Sequence, residues 1–236
     1  GGCGFIGSHL VELLVSSGHN VTVIDDLSGG KYSNIAQLEI SQQIEFIQAD
    51  ITTISEEELC SIVSECEYVF HLAGKADIVP SIENPRLYYE TNVNGTYRLL
   101  MACRGGQLKK FVYAASSSCY GIPIQFPTSE SASLSPQYPY ALTKLMGEQL
   151  VMHWAKVYGL KANSLRLFNV YGPNESHKGR MASVIYHAYH QIKSTGKMNL
   201  FRSHNSKYKD GEQLRDFIYV KDVVKICIYL YKKQHH

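Results

Sequence analysis

Short apolar runs alternate with segments of helical periodicity through the first two thirds of the chain. The apolar runs are VTVID (21–25), IEFIQAD (44–50), YVFHLAG (68–74), FVYAASS (111–117) and ANSLRLFNV (162–170). The helical segments are HLVELLVSSG (9–18), SEEELCSIVSEC (55–66), YYETNVNGTYRLLMACRGG (88–106) and YALTKLMGEQLVMHWAKVYG (140–159). Strands that alternate with helices form βαβ units, so the pattern predicts an α/β fold with a doubly wound parallel sheet.

The alternation ends after Gly172. Beyond it, one helical stretch, MASVIYHAYHQIK (181–193), lies between polar segments. We therefore predict a sheet domain over residues 1–172 and a smaller, loop-rich region over residues 173–236 that covers a ligand. Residues 214–230 within this region are expected to pack back on the sheet domain.

A glycine-rich turn, GGCGFIGSHL (1–10), opens the chain. Gly1, Gly4 and Gly7 permit a tight bend, a close approach of backbone N–H groups to a pyrophosphate, and close packing of the following helix on the sheet. Asp25 ends the next apolar run, 18 residues after Gly7. This is close to the spacing of about 20 residues that the ribose-binding acid has in dinucleotide sites. The combination predicts a Rossmann-like, NAD-binding domain.

The acid favours NAD over NADP, because a carboxylate accepts hydrogen bonds from the ribose hydroxyls and repels a 2′-phosphate. Two alternatives stay open: Asp25 or Asp26 only shapes the turn, and Lys31 accommodates a 2′-phosphate. Asp50 ends the following apolar run. There it either accepts a hydrogen bond from the adenine amino group or caps a loop.

Composition indicates a globular protein with small-molecule partners. The 236 residues are 44% hydrophobic and 19% charged, and the net charge of +2 includes no basic block. This argues against nucleic acid or an anionic membrane surface as a partner, and no apolar run reaches the length of about 18 residues that spans a bilayer. Six scattered cysteines without CxxC spacing suggest reduced thiols in a cytoplasmic enzyme. No metal site is predicted, because only His187 and His190 have helical ligand spacing, without a cysteine or carboxylate set beside them.

Tyr140 and Lys144 lie four residues apart near the start of a helical segment, so both side chains lie on one face of the helix. An ammonium group beside a tyrosine stabilises the phenolate and lowers the phenol pKa, which is ordinarily near about 10. Such a tyrosine can take a proton from a sugar hydroxyl, while the lysine can bind the nicotinamide ribose. Ser116 can donate a hydrogen bond to the same reacting oxygen. The alternative for this spacing taken alone is a solvated helix face.

Several strings carry a family resemblance: GGCGFIGSHL, VIDDLS, QADI, FHLAG, NVNGT, YAASSSCYG, PYALTK, RLFNVYGP and RDFIYVKDV. With them the chain resembles the extended short-chain dehydrogenase/reductase superfamily, specifically the NAD-dependent epimerase/dehydratase family acting on nucleotide-diphosphate sugars. The resemblance implies Ser116 as the catalytic hydroxyl, Tyr140 as the base and Lys144 as its partner. It implies cofactor contacts at Gly1, Gly4, Phe5, Ile6, Gly7, Asp25, Asp26, Asp50, Ile51, Leu72, Ala73, Gly74, Lys75, Asn92, Tyr140 and Lys144. It implies substrate contacts at Ser117, Ser118, Asn169, Lys178 and Arg215.

The resemblance also concerns the chain ends and the assembly. Members of the family have a strand directly before the glycine turn and continue well past RDFIYVKDV. The chain is therefore expected to be a fragment that lacks the first strand and the carboxyl-terminal end, and that is poorly stable alone. Family analogy suggests a homodimer through the helix containing Tyr140 and its neighbour.

The residues after Ser116 bear on the reaction. Dehydratases of the family typically carry Asp-Glu directly after the catalytic hydroxyl, and uronate decarboxylases usually keep a glutamate at the second place. Here Ser117 and Ser118 stand at these places. The resemblance therefore implies an epimerase, which oxidises the sugar transiently to a keto-sugar and reduces it again. A non-catalytic NAD-binding protein of the same fold is the alternative from another class.

Two parts of the chain point to different substrates. The amino-terminal two thirds look like UDP-hexose 4-epimerases, whereas residues 171–224 resemble ADP-glycero-manno-heptose 6-epimerases. In the second group a lysine that matches Lys178 is proposed as a further acid/base, and a solvated loop charge is the alternative here. Arg215 matches a position that grips the diphosphate, where a guanidinium can bind phosphate oxygens bidentately. A salt bridge of Arg215 with Asp216 or Asp222 is the competing interpretation.

Overall fold

The computed structural model of the protein describes residues 1–105, 107–204 and 206–232. Seven strands are present in these residues: β1 Val21–Asp25, β2 Ile44–Gln48, β3 Tyr68–His71, β4 Lys110–Ser116, β5 Ala162–Leu167, β6 Asn169–Tyr171 and β7 Phe217–Tyr219. The α-helices are α1 Phe5–Ser16, α2 Ala36–Ile40, α3 Glu56–Ser64, α4 Ile78–Glu83, α5 Pro85–Tyr89, α6 Gly95–Ala102, α7 Pro139–Tyr158, α8 Val184–Thr195 and α9 Val220–Lys232.

All strand pairs of the described residues are parallel. They form three ladders, β1–β2, β3–β4–β5 and β6–β7. The register of the middle ladder aligns Phe70 with Val112 and Ser116 with Leu167. The carboxyl ends of parallel strands meet at one edge, so Asp25 and Ser116, each the last residue of its strand, lie at the edge where ligands bind in folds of this kind.

Helices cover both faces of the strands. One apolar cluster joins α3, α6 and α7 to β4 and includes Leu59, Leu100, Phe111 and Val151. A second cluster joins α1 to α9 through Leu10, Val224 and Cys227, and Phe70, Leu72 and Leu165 pack against it. A third cluster is formed by side chains of β1 and β2 with those of neighbouring segments, and it includes Cys3, Val23 and Ile44. This two-sided burial explains why the strands read as nearly continuous apolar runs.

Two of the predicted elements are divided in the structure. The run 162–170 is two strands, β5 and β6, because β5 pairs with β4 whereas β6 pairs with β7. The segment 88–106 is two helices separated by a π-helical turn, Glu90–Asn94, and such turns are frequent at functional sites.

The stretch predicted as helical over 181–193 begins as a helix only at Val184. Ser183 caps it by accepting a hydrogen bond from the backbone nitrogen of Tyr186. Within the described parts of the chain, no helix is long and apolar enough to cross a membrane.

Candidate active site

Two glycines of the glycine-rich segment at the start of α1, Gly1 and Gly7, leave no room for a side chain. A Cβ atom on Gly7 would lie 2.1 Å from the carbonyl oxygen of Gly1, and one on Gly1 would lie 2.4 Å from the backbone nitrogen of Ala73. Gly4 caps α1 with extended backbone. The first N–H groups of a helix have no partner inside the helix, and its dipole favours an anion. The turn therefore fits the pyrophosphate of a dinucleotide.

Asp25 is held beside this turn. The residue is 6% exposed. Its two carboxylate oxygens accept hydrogen bonds from the backbone nitrogens of Cys3, at 2.9 Å, and Leu27, at 2.8 Å. Each oxygen keeps acceptor capacity for a ribose hydroxyl. The carboxylate therefore shapes the turn and remains available for the adenosine ribose, so the two interpretations of this residue are compatible.

Asp26 belongs to a small polar group on the outer side of the turn. It accepts hydrogen bonds from the backbone nitrogen and the hydroxyl of Ser28, and the Nζ of Lys75 lies 2.6 Å from that hydroxyl and 4.0 Å from the Asp26 carboxylate. Burial by itself opposes the charge of Asp26, but the Ser28 hydrogen bonds and the Lys75 ammonium outweigh it and lower the pKa of this carboxyl. The contact joins the segment after β1 to the segment after β3.

Asp50 follows β2 and accepts hydrogen bonds from the backbone nitrogen and the hydroxyl of Thr52, both at 2.8 Å. These are the contacts of a loop cap, and they leave the other carboxylate oxygen free to accept further bonds. Ile51 is buried, and its side chain packs against Gly95, where a Cβ would lie 2.8 Å from Cδ1 of Ile51.

Asn92 lies in the π-helical turn and is 1% exposed. Its Oδ1 accepts a hydrogen bond from the backbone nitrogen of Lys75 at 2.7 Å, and its Nδ2 donates to the carbonyl of Lys75 and the hydroxyl of Thr143, both at 3.0 Å. The amide therefore fixes Gly74 and Lys75 against α7. Its polar atoms all bind protein, so any effect of Asn92 on a cofactor acts through the backbone of this segment.

Ser116 ends β4 and caps the short 3₁₀ turn Ser117–Tyr120. Its Oγ accepts hydrogen bonds from the backbone nitrogen of Ser118 at 3.2 Å and from the hydroxyl of Ser118 at 2.8 Å. With two donors on this oxygen, the Ser116 proton is free to point elsewhere. Ser118 thus contacts Ser116 directly, and Ser117 is half-buried at the start of the turn.

Tyr140 lies in the first turn of α7, which Pro139 starts at its N1 position. Its side chain lies near that of Ser116, whose hydroxyl favours the charged form of the phenol and so acts to lower its pKa. Burial raises the pKa of Tyr140 and is the larger of the two effects. The sequence-based expectation that the phenol pKa lies below its ordinary value is therefore wrong, because desolvation dominates at this buried site.

Lys144 is 6% exposed, and burial lowers its pKa from 10.5 to about 8. Its Nζ lies 4.7 Å from the centroid of the Tyr113 ring, and a Cβ on Gly74 would lie 3.5 Å from it. Lys144 thus extends from α7 to the segment that Asn92 holds, on the aromatic face of Tyr113. Next to it, burial lowers the pKa of His71 to about 3, with the Lys144 charge acting in the same direction.

Residues 172–183, between β6 and α8, form a loop that reaches the glycine turn. His9 contacts the carbonyl of Pro173 at 2.9 Å, and the Nζ of Lys178 lies 4.9 Å from the ring centroid of Phe5. Arg180 pairs with Asp77 at 3.1 Å. Lys178 is half-buried, and desolvation lowers its pKa while Glu175 opposes this. Lys178 therefore lies beside the start of α1, whereas Ile6 on the same helix packs into the core toward α9.

Asn169 and Arg215 make no recorded contact with the other proposed site residues in the described part of the chain. Asn169 donates a hydrogen bond to the carbonyl of Asp216 at 2.7 Å and so joins the starts of β6 and β7. Arg215 is exposed and donates to the carbonyl of Leu214. Across the described residues it forms no ion pair, so the salt-bridge interpretation with Asp216 or Asp222 is wrong.

Several residues at the site were not singled out from the sequence. Tyr88 is 3% exposed, its ring meets that of Tyr140 edge to face at 6.4 Å, and its hydroxyl donates to the carbonyl of Ala76. Asp77 has a φ of 92°, a strained value for a residue other than glycine. Glu175 accepts hydrogen bonds from both ends of the 172–183 loop, at Gly172 and Ser183. No local pattern marks these residues, since their partners are distant in sequence or in irregular loops.

A profile of the NAD dependent epimerase/dehydratase family matches residues 1–236. The chain belongs to this family. A UDP-glucose 4-epimerase of Mycolicibacterium smegmatis is 34% identical over 227 residues, which is 95% of this chain and 69% of that protein.

Solved structures of the family superpose well on the chain. The UDP-N-acetylglucosamine 4-epimerase of Methanobrevibacter ruminantium, in complex with UDP-N-acetylmuramic acid, has a TM-score of 0.87 and 34% identity, over 100% of this chain and 72% of that one. The UDP-glucose 4-epimerase of Thermus thermophilus, in complex with NAD, has a TM-score of 0.84 and 32% identity, over 100% of this chain and 74% of that one.

These findings confirm the predicted family, the Rossmann-like α/β fold and NAD as the cofactor of the family. The relatives are UDP-sugar 4-epimerases, in agreement with the predicted epimerase. The glycine turn, whose tight contacts exclude side chains, and the carboxylate of Asp25 fit such a dinucleotide.

Proposed function

We propose that the protein is an NAD-dependent nucleotide-sugar epimerase that inverts C4 of a UDP-hexose. One observation carries the proposal: the side chains of Ser116 and Tyr140 lie together at the end of β4, with the buried Lys144 one turn further along α7. The segment held by Asn92 lies beside them. Two hydroxyls and a cation together are the groups needed to move a proton at a sugar hydroxyl. The sequence relatives supply the substrate class.

Tyr140 acts as the base in the proposed reaction. Its phenolate takes the proton of the sugar 4-hydroxyl, while Ser116 donates a hydrogen bond to the same oxygen and stabilises the charge that develops there. NAD, when bound, would supply a reversible hydride acceptor at the sugar carbon. Tyr140 then gives its proton back to the keto oxygen, so the reaction is balanced and leaves the residues unchanged.

Lys144 stabilises the phenolate once the site is closed and dry. With a pKa of about 8 it is mostly protonated at neutral pH, so its charge is available to Tyr140 and to the nicotinamide ribose. The residues proposed to hold NAD are those of the glycine turn, Asp25, the polar groups after β1 and β2, and the 72–75 segment. Inversion needs the keto-sugar to present its other face between the two transfers.

A 6-epimerase of an ADP-heptose is the second candidate, and the position of Lys178 favours it. The half-buried ammonium of Lys178 against Phe5 is more enclosed than a solvated loop charge. As a second acid/base it would protonate the re-formed hydroxyl from the opposite side. Dehydration is disfavoured, since Ser117 and Ser118 offer hydroxyls and no carboxylate.

The two predicted parts of the chain have separate tasks in this proposal. Residues 1–172 bind NAD and carry the proton transfers, and residues 173–236 bind the nucleotide sugar through Asn169 at their border, Lys178 and Arg215. The six cysteines are all free, which supports a reducing, cytoplasmic setting.

We also propose a homodimer through α6 and α7. Apolar side chains on these helices are exposed, namely Tyr97 (43%), Met101 (37%), Leu142 (48%) and Met152 (46%). A face of this kind on neighbouring helices suits an isologous two-fold contact. Light scattering of the purified protein tests it, with Leu142→Glu expected to give monomers.

Incubation of the enzyme with a panel of UDP- and ADP-sugars, with product stereochemistry read by NMR, tests the function. Inversion at C4 of a UDP-hexose is expected. Inversion at C6 of an ADP-heptose selects the second candidate. Bound NAD without turnover of any sugar would leave the non-catalytic alternative.

A further inference from the structure

A charged cluster lies behind the proposed catalytic residues and joins the two elements that carry them. Arg166 of β5 binds the carboxylate of Glu148 with two guanidinium nitrogens: Nε lies 3.1 and 3.0 Å from the two carboxylate oxygens, and Nη2 lies 2.6 Å from one of them. The same guanidinium donates from Nη1 to the hydroxyl of Tyr120 at 3.0 Å and to the carbonyl of Glu130 at 2.9 Å.

The cluster is enclosed. The side chain of Glu148 is 9% exposed and that of Arg166 is 19% exposed. The Cζ of Arg166 also lies 5.0 Å from the centroid of the Tyr120 ring, whose residue is 6% exposed. A bidentate arginine–carboxylate pair in such surroundings has a defined geometry, because both partners are planar and little water competes for them.

Each partner lies one turn from a proposed catalytic residue. Glu148 follows Lys144 by four residues on α7, so the two project from the same side of the helix. Tyr120 ends the 3₁₀ turn that Ser116 caps. Arg166 itself is in register with Ala115, the residue before Ser116. One guanidinium thus holds the end of β4 and the first half of α7 at the same time.

The reacting pair spans the junction that this cluster fixes. Ser116 comes from β4 and Tyr140 from α7, so their side chains stay close together only if the strand end and the helix keep their relative position. Among the ion pairs of the described residues, Arg166–Glu148 is the one that joins β5 to α7.

We propose that Arg166 is a positioning residue of the epimerase reaction: by binding Glu148 and Tyr120 together, it sets the distance between the hydroxyls of Ser116 and Tyr140. The inference deepens the proposed function and rests on it. Arg166 does not touch the reacting hydroxyls, so it acts through the geometry of the pair. A displacement of about 1 Å at such a pair can slow a reaction about a hundredfold.

The titration of Tyr140 reports this geometry. The groups that face it are Ser116 and Cys119 from the end of β4 and its turn, Tyr113 from β4 and Tyr88 from α5. Lys144 follows it by one turn on α7 and lies over the ring of Tyr113. Among these groups, the Ser116 hydroxyl lowers the pKa of Tyr140. A longer Ser116–Tyr140 distance should therefore raise the pKa of the phenol and move the acid limb of kcat to higher pH.

The test compares Arg166→Lys, Glu148→Gln and Tyr120→Phe in the NAD-loaded protein. Arg166→Lys keeps the charge and loses the bidentate contact, and Tyr120→Phe keeps the ring and loses one hydrogen bond. Lys109→Met, which removes the exposed pair of Lys109 with Glu67, is the control. We expect kcat to fall about ten- to a hundredfold in Arg166→Lys and less in Tyr120→Phe, with KM unchanged, and the control to match the wild type.

A second readout does not depend on turnover. The tyrosinate absorbance of each protein is titrated against the same protein with Tyr140→Phe, so that the difference gives the pKa of Tyr140. We expect this pKa to rise by about one unit in Arg166→Lys and in Glu148→Gln, and by a smaller, measurable amount in Tyr120→Phe, which loses one of the contacts of Arg166. If the wild type converts no sugar, the proposed function fails, but this titration still tests the positioning role.

Wild-type kcat and an unshifted Tyr140 titration in folded Arg166→Lys would overturn the inference, as would a rise in KM alone. Thermal unfolding and NAD content identify folded variants. If Arg166→Lys does not fold, the kcat and the Tyr140 pKa of Tyr120→Phe test the inference instead, because this variant loses one hydroxyl and keeps the Arg166–Glu148 ion pair. An unchanged Tyr140 pKa in that variant also overturns the inference.

Discussion

The amino-terminal part of the chain, residues 1–172, and the carboxyl-terminal part, residues 173–232, differ in how deeply they bury the residues proposed to bind ligands: Lys178 is half-buried and Arg215 is exposed. Ser116, Lys144 and Asp25 are each less than a tenth exposed and lie next to apolar clusters. In the second part, α8 has no fully buried residue, and apolar side chains such as Leu200 (62%) and Leu214 (76%) face solvent.

The two parts therefore contribute to the site in different ways. Burial in the first part shifts the pKa of Tyr140 and Lys144, and such shifts depend on exclusion of water. The second part meets the site through partly exposed contacts, such as Lys178 with Phe5 and Arg180 with Asp77. Exposed charge contacts are individually weak. Changes in the first part should therefore affect kcat, NAD binding or stability, and changes in the second should affect KM for the nucleotide sugar.

Tyr140→Phe should have the largest effect. Loss of the phenol removes the proposed base, and general-base removal costs a factor of about 10² to 10⁴ in kcat. The ring and its edge-to-face contact with Tyr88 remain, so the fold and NAD binding should persist. Steady-state turnover of a UDP-hexose and the NAD content of the purified variant measure both. Tyr138→Phe, on an exposed neighbour, is the control, and full activity of Tyr140→Phe would refute the assigned role.

Lys144→Met should abolish most activity and yet stabilise the fold at neutral pH. Burial lowers the pKa of Lys144 from 10.5 to about 8, so the unfolded chain binds the proton more tightly than the folded one. The resulting penalty is complete below pH 8 and disappears as pH rises from 8 to 10.5. It amounts to roughly 3 kcal/mol as an order of magnitude.

Denaturant unfolding of Lys144→Met across this pH range is the measurement. The variant should be more stable than the wild type at neutral pH, and the difference should vanish above the unfolded-state pKa. Lys156→Met, an exposed lysine on the same helix, should show no such pH dependence. Equal stability of Lys144→Met and wild type at neutral pH would contradict the burial of a charged ammonium.

Asp25→Asn should weaken NAD binding about ten- to a hundredfold, since one charge-assisted bond to the ribose is lost. Both carboxylate oxygens accept hydrogen bonds from backbone N–H groups. In the asparagine variant the side-chain NH₂ would face one of these N–H donors, which should lower the free energy of unfolding by about 1–3 kcal/mol. Calorimetric titration with NAD and thermal unfolding check the two parts. Asp26→Asn, whose partner is the exposed Ser28, should have a smaller effect, and the reverse order would contradict the assignment.

Lys178→Met should have the smallest effect of the four, a rise in KM for the nucleotide sugar of about tenfold with little change in kcat, because it removes one cation at the edge of the site. Lys193→Met on α8 is the matched control. A large loss of kcat at unchanged KM would instead support Lys178 as an acid/base and favour the heptose alternative.

The sequence by itself was sufficient for the local geometry of the site, whereas the contact of Asp25 with a ribose stays a prediction. Three glycines at fixed spacing predict the turn, an acid at the end of the next strand predicts the ribose contact, and Tyr140 and Lys144 share a helix face because four residues make about one turn. The apolar runs predict the parallel sheet, because strands that helices cover on both faces are apolar along their whole length. Each of these patterns depends on residues close together in the chain, where backbone geometry alone relates them.

Only the tertiary structure decided how these parts act on each other. The contacts of Asn92 with Lys75 and Thr143, and of Arg166 with Glu148, join residues 17 or more positions apart. Periodicity carries no information at such separations. The direction of the Tyr140 pKa shift also depends on the tertiary structure. Burial by the surrounding elements raises this pKa, the Ser116 side chain lowers it, and the effect of burial is the larger.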